Sequence, residues 1–211
     1  MGGRQGGEVA ARAVVEVLPA ELHELLAQIE DVCDPAAATR IGGAIAEFSR
    51  RLGQESSRQR SLAGMGATIV LLLVRGVHAL VLHMGNSRAY LLRAGALRGI
   101  TRDHTIVQTR LDGGEISATE AAEHPARNQL TRFVGMSAEP IPDTEVIELE
   151  AGDRLFLCTD GLSGALSADE LAMLLTDAES AEAACRSLIE AANAAGGKDN
   201  ITALVVDVGC R

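Results

Sequence analysis

Apolar positions in the first part of the chain recur at helical spacing. Val9, Ala13, Val14, Val17 and Leu18 fall close to three and four residues apart, and Glu8 sits where a carboxylate favours a helix start. Pro19 interrupts this helix or opens a second one reaching about Val32. Asp34-Pro35 supplies the N-cap and first-turn chemistry of a third, with Ile41, Ile45 and Phe48 on one face. Ahead of these helices, residues 1–7 hold four glycines, Gly2 and Gly3 among them, and read as a tight turn or a ligand-approach loop.

The period changes after the polar stretch 54–61. Runs 68–74 and 77–83, joined by Arg75-Gly76, and runs 87–92 and 96–100 around Gly95 predict three or four consecutive antiparallel strands. The following segment mixes short helical pieces rich in Glu and Ala with a Gly113-Gly114 break and Pro125, Pro140 and Pro142. It reads as an insertion over one sheet edge, a flap at about 105–142. Strands return at 144–149 and 154–158, helices at 168–175 and 181–195, and a last strand at 201–208. Blocks of strands and helices without a repeated βαβ unit indicate an α+β layered sandwich, with 1–211 as a single domain.

Composition removes several function classes. The chain has 19 basic and 29 acidic residues, a net charge of −10, which argues against nucleic acid and against anionic membrane surfaces as partners. Phe48, Phe133, Phe156 and Tyr90 offer no row of rings for stacking bases. Cys33, Cys158, Cys185 and Cys210 form no C-x-x-C pair and read as reduced, mostly buried thiols. The longest apolar stretch, 67–74, is far short of the ~20 residues needed to cross a bilayer. Residues 1–8 lack the apolar centre of a signal peptide, so a cytoplasmic protein is expected.

Two acidic positions stand out chemically. Asp160-Gly161 follows the apolar strand 154–158, and Asp199-Asn200 precedes the strand 201–208. A carboxylate at the end of a buried strand, beside glycine, can reach a hard cation such as Mg²⁺ or Mn²⁺, although both motifs also read as plain turns. Gly85-Asn86-Ser87-Arg88 is a third constellation, in which Arg88 holds an anion or caps the hairpin edge. His78 and His83 lie five apart on one strand, hence on opposite faces, and read as structural. His104 and His124 also read as polar structural residues, and His23 as solvent-facing. Arg127 and Arg132 read as solvated or paired with acidic neighbours.

The order of the motifs carries more than each alone. Residues 1–3 with 7–10, Gly64-Met-Gly-Ala-Thr68, Gly85-Asn-Ser-Arg-Ala-Tyr90, the stretch 97–104, Gly114-Glu-Ile116 through Leu130-Thr-Arg132 and Gly135, Leu155-Phe-Leu-Cys-Thr-Asp-Gly-Leu162 and Gly196-Gly-Lys-Asp-Asn-Ile-Thr202 run through essentially the whole chain. In that order they resemble the metal-dependent PPM (type 2C) serine/threonine protein phosphatases in their compact bacterial form. The resemblance implies a four-layer α-β-β-α sandwich of two antiparallel sheets flanked by helices. It also implies two Mn²⁺ or Mg²⁺ ions whose bound water attacks phosphoserine or phosphothreonine without a phosphoenzyme. By motif match Asp160 and Asp199 become ligands of the first metal. Gly161, Asn200, Ser87, Arg88, Gly2 and Gly3 become supporting residues. The implied partners are phosphorylated proteins, the products of a Ser/Thr kinase.

The departures from the family pattern set further expectations. Members carry Asp-Gly directly before the Met-Gly-Gly found at residues 1–3, and that Asp bridges the two metals; the sequence given begins at Met1. With Asp160 and Asp199 alone, at most one loosely held ion and impaired turnover are expected, because two dications repel unless anionic oxygens lie between them. A misplaced start, a true truncation and a non-catalytic pseudophosphatase that binds a phosphoprotein or kinase are the competing explanations. Asn86 stands where the family commonly has an Asp serving a third, weaker metal, so that site is expected to be weak.

Overall fold

The computed structural model describes residues 3–136, 138 and 140–209, with the backbone alone for residues 3–5. Gly2 and Cys210 therefore lie outside the described residues. The chain forms two compact units, one of residues 1–86 and 103–146, the other of residues 87–102 and 147–211.

In the first unit α1 (Gly3–Glu16), α2 (Leu18–Ala27) and α3 (Pro35–Arg58) precede the hairpin β1 (Ile69–Arg75) and β2 (His78–Met84). The glycine-rich start is therefore helical from Gly3 and not the turn or loop expected of it. Pro19 sits in the first turn of α2, where its missing N–H is harmless. Asp34 caps α3 by accepting the Ala36 N–H at 2.9 Å. This helix runs through the polar stretch to Arg58, because its buried face continues through Gly53 and Ser56. Leu22, Ile41, Ile45 and Phe48 pack with Ile69, Leu73, Leu80 and Leu82 into one core. Arg75, at the end of β1, donates to the carbonyls of Leu26 and Ile29 and so satisfies the end of α2. The expected flap contains α4 (Ile106–Asp112) and α5 (Ala118–Glu123), before β5 (Asp143–Glu148) joins a three-stranded sheet of order β1-β2-β5.

The second unit holds β3 (Arg88–Arg93), β4 (Ala96–Gly99), β6 (Arg154–Cys158), α6 (Asp160–Ser163), α7 (Ala168–Asp177), α8 (Ala181–Ala194) and β7 (Ala203–Asp207). The strands form an antiparallel sheet of order β4-β3-β6-β7. Phe156, Leu171, Leu175, Ala184 and Leu188 build its core against α7 and α8. Two antiparallel sheets flanked by helices match the expected class, but the four early strands are not one meander: β1-β2 and β3-β4 belong to different sheets. The short α6 has no hydrophobic period and was not predictable from spacing. Cys158 is buried and Cys185 half-buried, whereas Cys33 is exposed against expectation, lying just outside the α3 cap.

Candidate functional site

The sequence-predicted carboxylates lie on neighbouring segments at one end of the four-stranded sheet. Asp160 opens α6 directly after β6, and Asp199 stands in the exposed loop leading into β7, the strand paired with β6. Thr159 and Thr202 continue the ladder between them, the Thr159 N–H reaching the Thr202 carbonyl at 3.2 Å. The Thr159 hydroxyl donates to the Asn200 carbonyl at 3.1 Å and accepts the Thr202 N–H at 3.0 Å. Gly161 lies so close to the Asp199-Asn200 backbone that a Cβ on it would stand 2.3 Å from the Asn200 oxygen and 3.3 Å from the Asp199 Cβ. Only glycine allows that approach. Asp199 fixes its own turn by accepting the Asn200 N–H on Oδ1 at 2.7 Å. Asp160 and Asp199 thus stand on adjoining segments at one sheet end, and carboxylate oxygens are donors suited to Mg²⁺ or Mn²⁺.

The other expected residues divide between the units. Arg88 begins β3 opposite Cys158, at the same end of the sheet as Asp160, with Nη1 3.4 Å from the Tyr90 hydroxyl. Ser87 immediately precedes it. Asn86 is buried at the end of the first unit, beside Gly85 at φ +110°, where a side chain would collide with Thr68. Gly3 lies in α1 of that same unit.

Sequence reasoning missed a second polar cluster, around His104. Its N–H donates to the Gly85 carbonyl at 2.9 Å, and its carbonyl accepts from the Thr131 N–H at 2.9 Å. Nδ1 accepts the Gly85 N–H at 3.1 Å, so Nε2 carries the proton and donates to Asp143 Oδ2 at 3.0 Å. His83 stacks on the ring, centroids 4.5 Å apart. Burial lowers the His104 pKa and outweighs the hydrogen bond to Asp143, which pulls the other way. Burial would raise Asp143, but hydrogen bonds from His104 and Arg132 overcome it and hold that carboxyl below its usual range. The ligand atoms of His83, His104 and Asp143 lie within 4.8 Å of one another. A cation on Nε2 would nevertheless drive the proton to Nδ1, against the Gly85 N–H, so the cluster is built as a hydrogen-bonded knot around a neutral His104 imidazole. His83 and His104 were expected to be structural, but nothing in the sequence signalled Asp143. Arg132 pairs with Asp143, and His124 Nδ1 accepts the Ala126 N–H at 3.0 Å.

The family model of protein phosphatase 2C matches residues 1–205. The chain belongs to the protein phosphatase 2C family. Serine/threonine protein phosphatase PstP of Mycobacterium tuberculosis is 39% identical over 215 residues, an alignment covering 99% of this chain and 39% of that protein. Serine/threonine phosphatase stp of Listeria monocytogenes is 32% identical, with coverage of 98% and 81%. The chain thus spans about two fifths of the length of PstP. The solved catalytic domain of PstP, in complex with 2 manganese ions, superposes with a TM-score of 0.83 at 35% identity, covering all of this chain and 85% of that one. The protein phosphatase 2C fold, two antiparallel sheets with flanking helices, is therefore the frame in which Asp160 and Asp199 sit. No helix among the described residues is long and apolar enough to cross a membrane.

Proposed function

We propose that residues 1–211 act as a protein phosphatase domain that removes phosphate from phosphoserine and phosphothreonine in proteins modified by a Ser/Thr kinase. The observation that carries this reading is the close approach of Gly161, the neighbour of Asp160, to the Asp199-Asn200 backbone. Two carboxylates on one rim repel a phosphoryl group, so they fit phosphate chemistry only as ligands of a cation. Asp160 and Asp199 would hold Mn²⁺ or Mg²⁺ there. When bound, such ions lower the pKa of water and offset charge on phosphoryl oxygens. Gly161 admits the Asp199 loop, Asn200 fixes the Asp199 carboxylate through its N–H, and Arg88 with Ser87 supports the same sheet end. The names of the relatives, serine/threonine phosphatases, support the substrate class.

The test is hydrolysis of a phosphothreonine peptide with and without Mn²⁺, by the chain and by Asp199→Asn. The expected outcome is low Mn²⁺-dependent turnover, in keeping with at most one loosely held ion, that Asp199→Asn abolishes. Binding of the phosphopeptide without turnover at saturating Mn²⁺ would instead assign the chain to the non-catalytic, regulatory class.

A further inference from the structure

Thr159 is the odd member of a consistent set. Asp34, Thr105, Ser117, Ser167 and Ser180 each occupy a helix N-cap and each accepts a backbone N–H of its own helix through its side chain. Thr159 is the N-cap of α6 with the same extended backbone, φ −79° and ψ 162°, yet its hydroxyl makes no cap bond. It reaches across to the neighbouring strand and bonds the Asn200 carbonyl and the Thr202 N–H. The loop it reaches is exposed from Ala195 to Asn200 and carries Gly196 and Gly197 at positive φ, so apolar burial contributes little to holding it. The Asn200 peptide is gripped on both faces: its carbonyl by Thr159, its N–H by Asp199 Oδ1. That second bond uses one of the roughly four acceptor positions of the Asp199 carboxylate.

We propose that Thr159 is a positioning residue that sets the spacing of Asp160 and Asp199 for a divalent cation. It is covalently adjacent to one carboxylate and hydrogen-bonded to the residue next to the other, so a single hydroxyl links the two. Diverting the hydroxyl from its own helix trades helix capping for pre-organisation of the segment that carries Asp199 beside the one that carries Asp160. This inference rests on the reading of Asp160 and Asp199 as metal ligands.

The experiment is titration of Mn²⁺ into the full chain, following free Mn²⁺ by electron paramagnetic resonance, with urea unfolding in EDTA as a second readout. Thr159→Val keeps the shape and removes the hydroxyl, and Thr159→Ser keeps the hydroxyl. Loss of an outer-shell partner is expected to weaken Mn²⁺ binding roughly tenfold or more in Thr159→Val, with Thr159→Ser restored to within about threefold of wild type. Thr159→Ala repeats the test if Thr159→Val unfolds. Wild-type affinity in Thr159→Val, or equal loss in Thr159→Ser, would overturn the proposal. Wild-type affinity in Asp160→Asn and Asp199→Asn would overturn the metal reading itself, a distinct outcome because it leaves the ligands and not the clamp without effect.

Discussion

The two ends of the four-stranded sheet hold carboxylates in opposite ways. At the end where β6 begins, Asp153 is buried and accepts Arg93 Nε and Nη2 at 2.8 and 2.7 Å and the Glu150 N–H at 2.8 Å. Its pKa is lowered by the Arg93 hydrogen bonds, with burial working against them. Beside it Asp207 pairs with Arg154 at 2.5 Å, and Arg154 also bonds the carbonyls of Leu175 and Ala178. A cleft of about 360 Å³ opens there, between Leu92, Arg154, Leu175 and Val208, with that guanidinium already engaged. At the end where β6 stops, the Asp199 loop is tied by a hydroxyl, a backbone ladder and a glycine contact. Arginine side chains neutralise Asp153 and Asp207 at one end, whereas a hydroxyl and backbone groups order the Asp199 loop at the other.

Substitutions at either end test this division. The largest expected effect is on activity: Asp199→Ala should lower phosphopeptide turnover by about two orders of magnitude or more. Its urea midpoint in EDTA should correspond to a change within about 0.5 kcal/mol, as for other exposed positions. Asp153→Ala should do the reverse, costing roughly 2–3 kcal/mol in urea unfolding through loss of charge-assisted hydrogen bonds while leaving Mn²⁺ affinity unchanged. If Asp153→Ala weakens Mn²⁺ binding as much as Asp199→Ala does, the two ends are not separable. Gly161→Ala sharpens the comparison. Its Cβ would sit 2.3 Å from the Asn200 oxygen, and the overpacking should cost about 1–3 kcal/mol and weaken Mn²⁺ binding together.

Most elements were legible because their signals are local. Asp34-Pro35 marks the start of α3, short apolar runs around Arg75-Gly76 mark β1 and β2, and β6 matches its predicted run at both ends. Asp160 and Asp199 were legible through strand ends beside glycine. What could not be read was pairing at a distance. The assignment of β3 and β4 to a different sheet from β1 and β2 depends on Ala89 facing Leu157, not on any feature of the turn at Gly85. Thr159 drew no reading of its own in the sequence, since the direction of a hydroxyl follows from tertiary placement. Asp143 carried no signal, because its value lies in contact with a histidine 39 positions away.

The smallest expected effect concerns that histidine and distinguishes the units rather than the sheet ends. His104 has its pKa depressed in the folded chain, so the unfolded chain binds its proton more readily. The stability it contributes is present above the ordinary imidazole value of about 6.5. It should be lost as pH falls through that range, levelling off below the depressed folded value. Urea unfolding at several pH values should show this slope, and His104→Gln should flatten it. A slope unchanged in His104→Gln would place the titrating group elsewhere.

The interleaving of the two units has a consequence for synthesis. Arg88 finds its partner Cys158 only after the whole segment 103–146, which belongs to the other unit, has been made. At roughly 5–20 residues per second, β3 waits several seconds as the inner strand of a sheet that does not yet exist. During that interval its unpaired edge is open to wrong partners, so the early hairpin of β3 and β4 is the point at which a nascent chain is most exposed to aggregation.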